Sequence, residues 1–277
     1  MTPGTFDLNT LILFGLSLSA AGVLAGLLAG LLGVGGGIVI VPVLYHLLLA
    51  VGFDADLTMH VAVGTSLAAI VPTSIMSARA HDRRGAVDRD LLLLIGPGIL
   101  IGSILGVLVA AVTRGWVLSL VFGVMALAVS AHMTFTPEGF RLADKLPGRF
   151  ATRAIGAVIG FFSSLMGIGG GTLTVPVLSL HNYPIRRAVG TSAACGLIIS
   201  LPGALGFAAT GFGRPDLPPY SLGYVSLVGI LMIVPATLVM SQVGAKLAHT
   251  ISPRALRVAF AVFLFATSIR MLWNTFG

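Results

Sequence analysis

Residues 31–44 read Leu-Leu-Gly-Val-Gly-Gly-Gly-Ile-Val-Ile-Val-Pro-Val-Leu, and residues 165–178 read Leu-Met-Gly-Ile-Gly-Gly-Gly-Thr-Leu-Thr-Val-Pro-Val-Leu. A second phrase follows each copy, Ala62-Val63-Gly64-Thr65-Ser66 and then Ala188-Val189-Gly190-Thr191-Ser192. Both phrases interrupt strongly apolar sequence. Glycine-broken hydrophobic segments at matching places in two halves of a membrane chain point to a transporter's binding site.

The surrounding composition sets the solvent. The chain is 56% hydrophobic and 9% charged, whereas a soluble domain carries about 25% charged residues. Long uncharged runs read as transmembrane helices, so the expected partner is the lipid bilayer. A net charge of +7 is explained by basic residues at helix ends on the cytoplasmic side, and nucleic acid is not an expected partner. Cys195 is the single cysteine, which excludes an intrachain disulfide and a zinc-type ligand cluster. Residues 1–9 carry Asp7 and no Lys or Arg. They lack the basic start of a cleaved signal peptide, so the first apolar segment is expected to be retained.

Ten apolar stretches are read, at about 10–32, 36–51, 61–78, 91–112, 116–135, 151–166, 171–180, 188–211, 221–245 and 255–275. Five fall in an N-terminal repeat (1–136) and five in a C-terminal repeat (151–277), joined by a cytoplasmic linker (137–150). Arg79, Arg83, Arg84 and Arg89 lie in one connection, and Arg141, Lys145, Arg149 and Arg153 in the central one. Arg186, Arg187, Lys246, Arg254 and Arg257 flank two further turnarounds. With the N-terminus outside, all of these fall inside, which places both termini outside. The second and seventh stretches are short. They are either tilted short crossings, giving ten spans, or halves of re-entrant hairpins, giving six; crossings are the expectation. Five segments per half make the second half an upside-down copy of the first. Leu118, Phe122, Val124, Ala128, Ser130 and Met133 recur in step as Leu256, Phe260, Val262, Ala266, Ser268 and Met271. The expected fold is therefore an all-α polytopic membrane protein of two inverted-topology repeats, with the broken short helices meeting near the bilayer midplane.

The breaks comprise Gly33, Gly35, Gly36 and Gly37 in one half and Gly167, Gly169, Gly170 and Gly171 in the other. Each glycine costs a helix about 1 kcal/mol relative to alanine. Backbone groups freed this way must be buried in protein or line a wet cavity. A helix restarting after a break presents unpaired N–H groups and a partial positive charge, which suits an anion. Gly35, Gly36, Gly37, Gly169, Gly170 and Gly171 are the expected backbone contacts. Thr65, Ser66, Thr191 and Ser192 are expected to donate hydroxyls, and Cys195, one turn beyond Ser192, to contact or gate the ligand. His60 and Arg186 precede the second phrase at matching positions and are read as anion recruiters at opposite mouths. Gly98, Gly102 and Gly106, spaced by four, read as helix-packing residues. The acidic residues Asp7, Asp54, Asp56, Asp82, Asp88, Asp90, Glu138, Asp144 and Asp216 all lie outside the apolar stretches. A carboxylate relay within the membrane therefore has no candidate. No catalytic constellation, cofactor motif or metal-ligand set is present, so no enzyme, cofactor or metal is expected.

The doubled glycine phrase and the doubled Ala-Val-Gly-Thr-Ser phrase, over about 10–275, resemble the TauE/SafE family of sulfite exporters and related anion permeases. The resemblance implies movement of sulfite or a small organosulfonate across the bacterial inner membrane. It leaves open uptake of another sulfur-containing or organic anion. A membrane scaffold that uses the glycines only for packing is the reading from a different class.

Overall fold

Among the described residues the ten apolar stretches become ten helices. They are α1 (Leu8–Leu32), α2 (Gly37–Ala50), α3 (Ala55–Asp82), α4 (Arg89–Val112), α5 (Gly115–Phe135), α6 (Arg149–Met166), α7 (Gly171–Leu180), α8 (Ile185–Thr210), α9 (Leu227–Leu247) and α10 (Pro253–Phe276). The computed structural model describes residues 8–32, 36–136, 140–247 and 253–276. Six helices among the described residues are long and apolar enough to cross a membrane: α3, α4, α5, α8, α9 and α10. The ten crossings expected from the sequence would need α1, α2, α6 and α7 to cross as well. The 10 residues of α7 rise about 15 Å, half of a hydrocarbon core about 30 Å thick.

Two boundaries differ from the sequence reading. α3 begins at Ala55 because Asp54 caps it, accepting from Asp56 N at 2.9 Å and Leu57 N at 3.2 Å. Two residues on, Asp56 Oδ1 accepts from Trp116 N at 3.2 Å and ties α3 to the start of α5. The stretch expected to be helical from 221 instead opens with a hairpin, β1 (Ser221–Leu222) against β2 (Val225–Ser226). Its approach is set by Pro218 and Pro219, which disfavour a helix. Gly223 then turns at φ +55°, pressed so close to the Ala208 carbonyl that any side chain would collide.

The helices pair across the halves: α1 packs on α9, α6 on α4, α3 on α8 and α5 on α10. The first two pairs match residue by residue. Methyl groups on Gly22 and Gly26 of α1 would meet the carbonyls of Ile233 and Thr237 at 2.7 and 2.6 Å. Gly156 and Gly160 of α6 meet those of Ile95 and Ile99 in the same way. Gly98, Gly102 and Gly106 return the contact onto Arg153, Ala157 and Phe161, the packing role their spacing implies. Hydroxyls lock the seams. Ser103 shares a 2.7 Å hydrogen bond with Ser164 and donates to Ile199 O at 3.0 Å, and Ser130 donates to Ala261 O at 2.8 Å. Leu93, Ile101, Leu108 and Val112 on the far side of α4 are exposed. In a membrane that face meets acyl chains, so its exposure carries no hydrophobic cost.

Candidate functional site

The two glycine breaks touch. Gly36, at φ +75°, precedes α2, and Gly167, at φ +68°, ends α6. Both are left-handed conformations that glycine adopts without strain. A methyl on Gly37 would lie 2.6 Å from Gly167 O and 3.0 Å from Ile168 Cα. One on Gly170 would lie 2.7 Å from Ser192 O, 2.8 Å from Gly196 N and 3.0 Å from Cys195 Cβ. The glycines therefore bring backbones into contact. Gly169 and Gly171 are buried with them; Gly33 and Gly35 lie outside the described residues. Neither α2 nor α7 has a side-chain cap on its first turn, so the N–H groups that begin a helix lack that partner.

The Gly-Thr-Ser phrases do something the sequence did not disclose. Gly64 packs on the hairpin, where a methyl would sit 2.5 Å from Tyr224 O, and Gly190 packs on the Ala86 carbonyl in the connection before α4. Beside them, Thr65 Oγ1 accepts from Ser226 N at 2.9 Å and Thr191 Oγ1 accepts from Asp88 N at 2.9 Å. Ser226 and Asp88 are themselves helix caps, accepting from Gly229 N at 3.1 Å and Leu91 N at 3.0 Å. Each half thus holds the start of a long helix in the other half through a buried threonine. Ser66 Oγ donates to Gly167 O at 2.6 Å, tying α3 to the second break, whereas Ser192 Oγ donates within its own helix to Val189 O at 2.8 Å. Cys195 is fully buried and abuts Gly170.

The two expected recruiters differ. Arg186 is exposed. His60 is buried, its Nδ1 2.8 Å from Asp56 O and its Nε2 3.0 Å from Ala110 O, with its ring 5.0 Å from that of Tyr224. Both nitrogens face carbonyls of the protein itself.

Asp88 is a residue that sequence reasoning passed over. Its carboxylate caps α4, accepts a short hydrogen bond from the Tyr183 hydroxyl and lies 3.5 Å from Arg187. The Leu91 N–H first, then Tyr183, hold its carboxyl below the ordinary aspartate range; burial pushes Tyr183 up, reinforced by Asp88. The available signal was Asp88 three residues before Leu91, the spacing of an N-cap. A carboxyl with a depressed folded-state pKa stabilises fully above its unfolded value of about 3.9 and loses that contribution as pH falls through the folded value. Asp88→Asn is therefore expected to flatten the acid dependence of the melting temperature below about pH 4. Equal curves for wild type and Asp88→Asn in a detergent melting series across that range would refute this.

Among the described residues no aspartate or glutamate is buried, and no group of three or more His, Cys, Asp or Glu side chains could hold a metal ion. The sequence model of one protein family, described as "Sulfite exporter TauE/SafE", matches residues 18–271. A "Probable membrane transporter protein" of Haemophilus influenzae is 35% identical over 251 residues, covering 90% of this chain and 95% of its own. Another from Methanocaldococcus jannaschii is 28% identical over 253 residues, covering 91% of this chain and 92% of its own. A third, YunE of Bacillus subtilis, is 27% identical over 274 residues, covering 91% and 95%. No solved structure matches the chain significantly.

Proposed function

The chain belongs to the TauE/SafE family of membrane transporters, and from that premise we propose that it exports sulfite or a small organosulfonate across the inner membrane by alternating access. One observation carries the reading. Two helix starts without side-chain caps, α2 and α7, lie with the breaks packed on each other in an interior where no described carboxylate is buried. Such a place offers backbone N–H groups and positive helix ends, and nothing that repels an anion. Ser66 and Ser192 give their protons to carbonyls. Thr65 and Thr191 accept from N–H groups and keep a proton to give. The substrate sits between the breaks, and the backbone supplies most of its donors.

The matched glycine seams, α1 on α9 and α6 on α4, support two repeats of inverted topology that move as related units. The clustered arginines support cytoplasmic turnarounds and periplasmic termini. An inside-negative potential favours anion exit by about 2.3 kcal/mol per charge per 100 mV, so export needs no coupling ion. In proteoliposomes loaded with sulfite, an inside-negative potential is expected to accelerate efflux. Flux that follows a pH gradient and ignores voltage would overturn uncoupled export; absence of flux for both sulfite and sulfoacetate would overturn the substrate class.

A further inference from the structure

The two connections that bridge the halves, one through Thr65 and one through Thr191, differ in how wet they are. On the hairpin side Thr65 is fully buried, Ser226 is 7% exposed, and the Tyr224 ring packs on that of His60. On the other side the turn between α3 and α4 lies at the surface. Asp82, Arg83, Arg84 and Gly85 are exposed, and Ala86, Val87 and Asp88 half-buried. The amides of Arg83, Arg84, Gly85 and Ala86 bond back to carbonyls of Arg79, His81 and Asp82 at the end of α3. This turn can therefore leave the second half without unpairing them.

Its polar contacts with the second half converge on Asp88. Thr191 Oγ1 takes its N–H, the Tyr183 hydroxyl donates to Oδ2, and Arg187 Nη1 lies 3.5 Å from the same oxygen. Oδ1 stays within its own half, on Leu91 N. The Arg187 side chain is 59% exposed and that of Asp88 19%. Water replaces each partner when such a pair separates, so it makes and breaks readily. Parting the hairpin seam would instead leave a buried N–H unpaired.

The turn also covers the approach to the second break. Gly190 of α8 lies against the Ala86 carbonyl. Cys195, four residues after Thr191, shares its helix face and lies about 12 Å farther along α8 than Arg187. There it abuts Gly170 of the second break and has no exposed surface. We propose that Asp88, Tyr183 and Arg187 form a latch that closes this face of the transporter, and that its release lifts the 83–88 turn from α8 and opens a path to the second glycine break. The inference rests on the alternating-access reading and assigns one of its gates.

The single cysteine reports the opening. The test is the rate at which a membrane-impermeant maleimide labels Cys195 in sealed vesicles, applied from the side that carries Asp88. Tyr183→Phe removes only a hydroxyl and keeps the α4 cap. It is expected to raise the rate about tenfold, the loss of one charge-assisted hydrogen bond. Arg187→Gln is expected to raise it about two- to fivefold, as suits an exposed ion pair. Arg83→Gln removes a charge from the same turn without touching these contacts, and is expected to leave the rate unchanged. Thr65→Val, which unpairs Ser226 N in the hairpin seam, is expected to give no rise from this side, which separates latch release from general loosening. Equal rates in wild type, Tyr183→Phe and Arg187→Gln, including no labelling in any of them, overturn the latch. So does a rise in Arg83→Gln or Thr65→Val that matches that of Tyr183→Phe. With sulfite flux intact, either result leaves the transport reading standing; wild type without flux of sulfite or sulfoacetate overturns that reading, and the gate with it.

Discussion

Gly167→Ala is expected to destabilise the protein by about 3 kcal/mol or more, the sum of a left-handed alanine and an overpacked core. The residue sits at φ +68°, and its added methyl would lie 2.8 Å from both Val63 Cα and Val41 Cγ2. The first of these is backbone of α3, which cannot swing aside as a flexible side chain can. Gly85 provides the control. It has nearly the same φ, +65°, and nothing within 4 Å of the position a methyl would take. Gly85→Ala is expected to cost only the conformational term, about 1 kcal/mol. Chemical or thermal unfolding in detergent compares the two directly; equal losses would show that backbone conformation, not the approach of the breaks, makes Gly167 necessary.

This comparison also shows how substitutions at the breaks should be interpreted. Alanine at Gly170 meets Ser192 O and Gly196 N, and alanine at Gly36 adopts a left-handed φ beside the Ala25 carbonyl. Loss of transport in either would reflect damaged packing as readily as a damaged site.

The helices were legible in the sequence because bilayer solvation forces long apolar runs, and the breaks because three adjacent glycines have no place in a regular helix. The hairpin at 221–226 was hidden for the same reason: its residues are apolar enough to read as the start of the next helix. Thr65 and Thr191 were recognised as special, but their partners were not, since Ser226 and Asp88 lie 161 and 103 residues away. Periodicity carries no information about such contacts.

Thr65→Val is expected to cost about 2–3 kcal/mol, the penalty for leaving a buried N–H without its acceptor. Thr65 is fully buried, valine has nearly its shape, and the change removes only the oxygen that receives Ser226 N. Thr65→Ser makes the opposite cut. It keeps the oxygen and deletes the methyl that packs toward Gly229, at about 1 kcal/mol. Thr191→Val removes the matching acceptor in the other half, but the N–H it serves belongs to part-buried Asp88. Water or the flanking polar groups then compensate, and the loss is expected to stay near about 1 kcal/mol. The order of stabilities is therefore Thr65→Val lowest, with Thr65→Ser and Thr191→Val together above it, read from unfolding midpoints of the three purified variants. If Thr65→Ser proves as damaging as Thr65→Val, the methyl holds the hairpin to α3 as much as the hydrogen bond does, and that order is overturned.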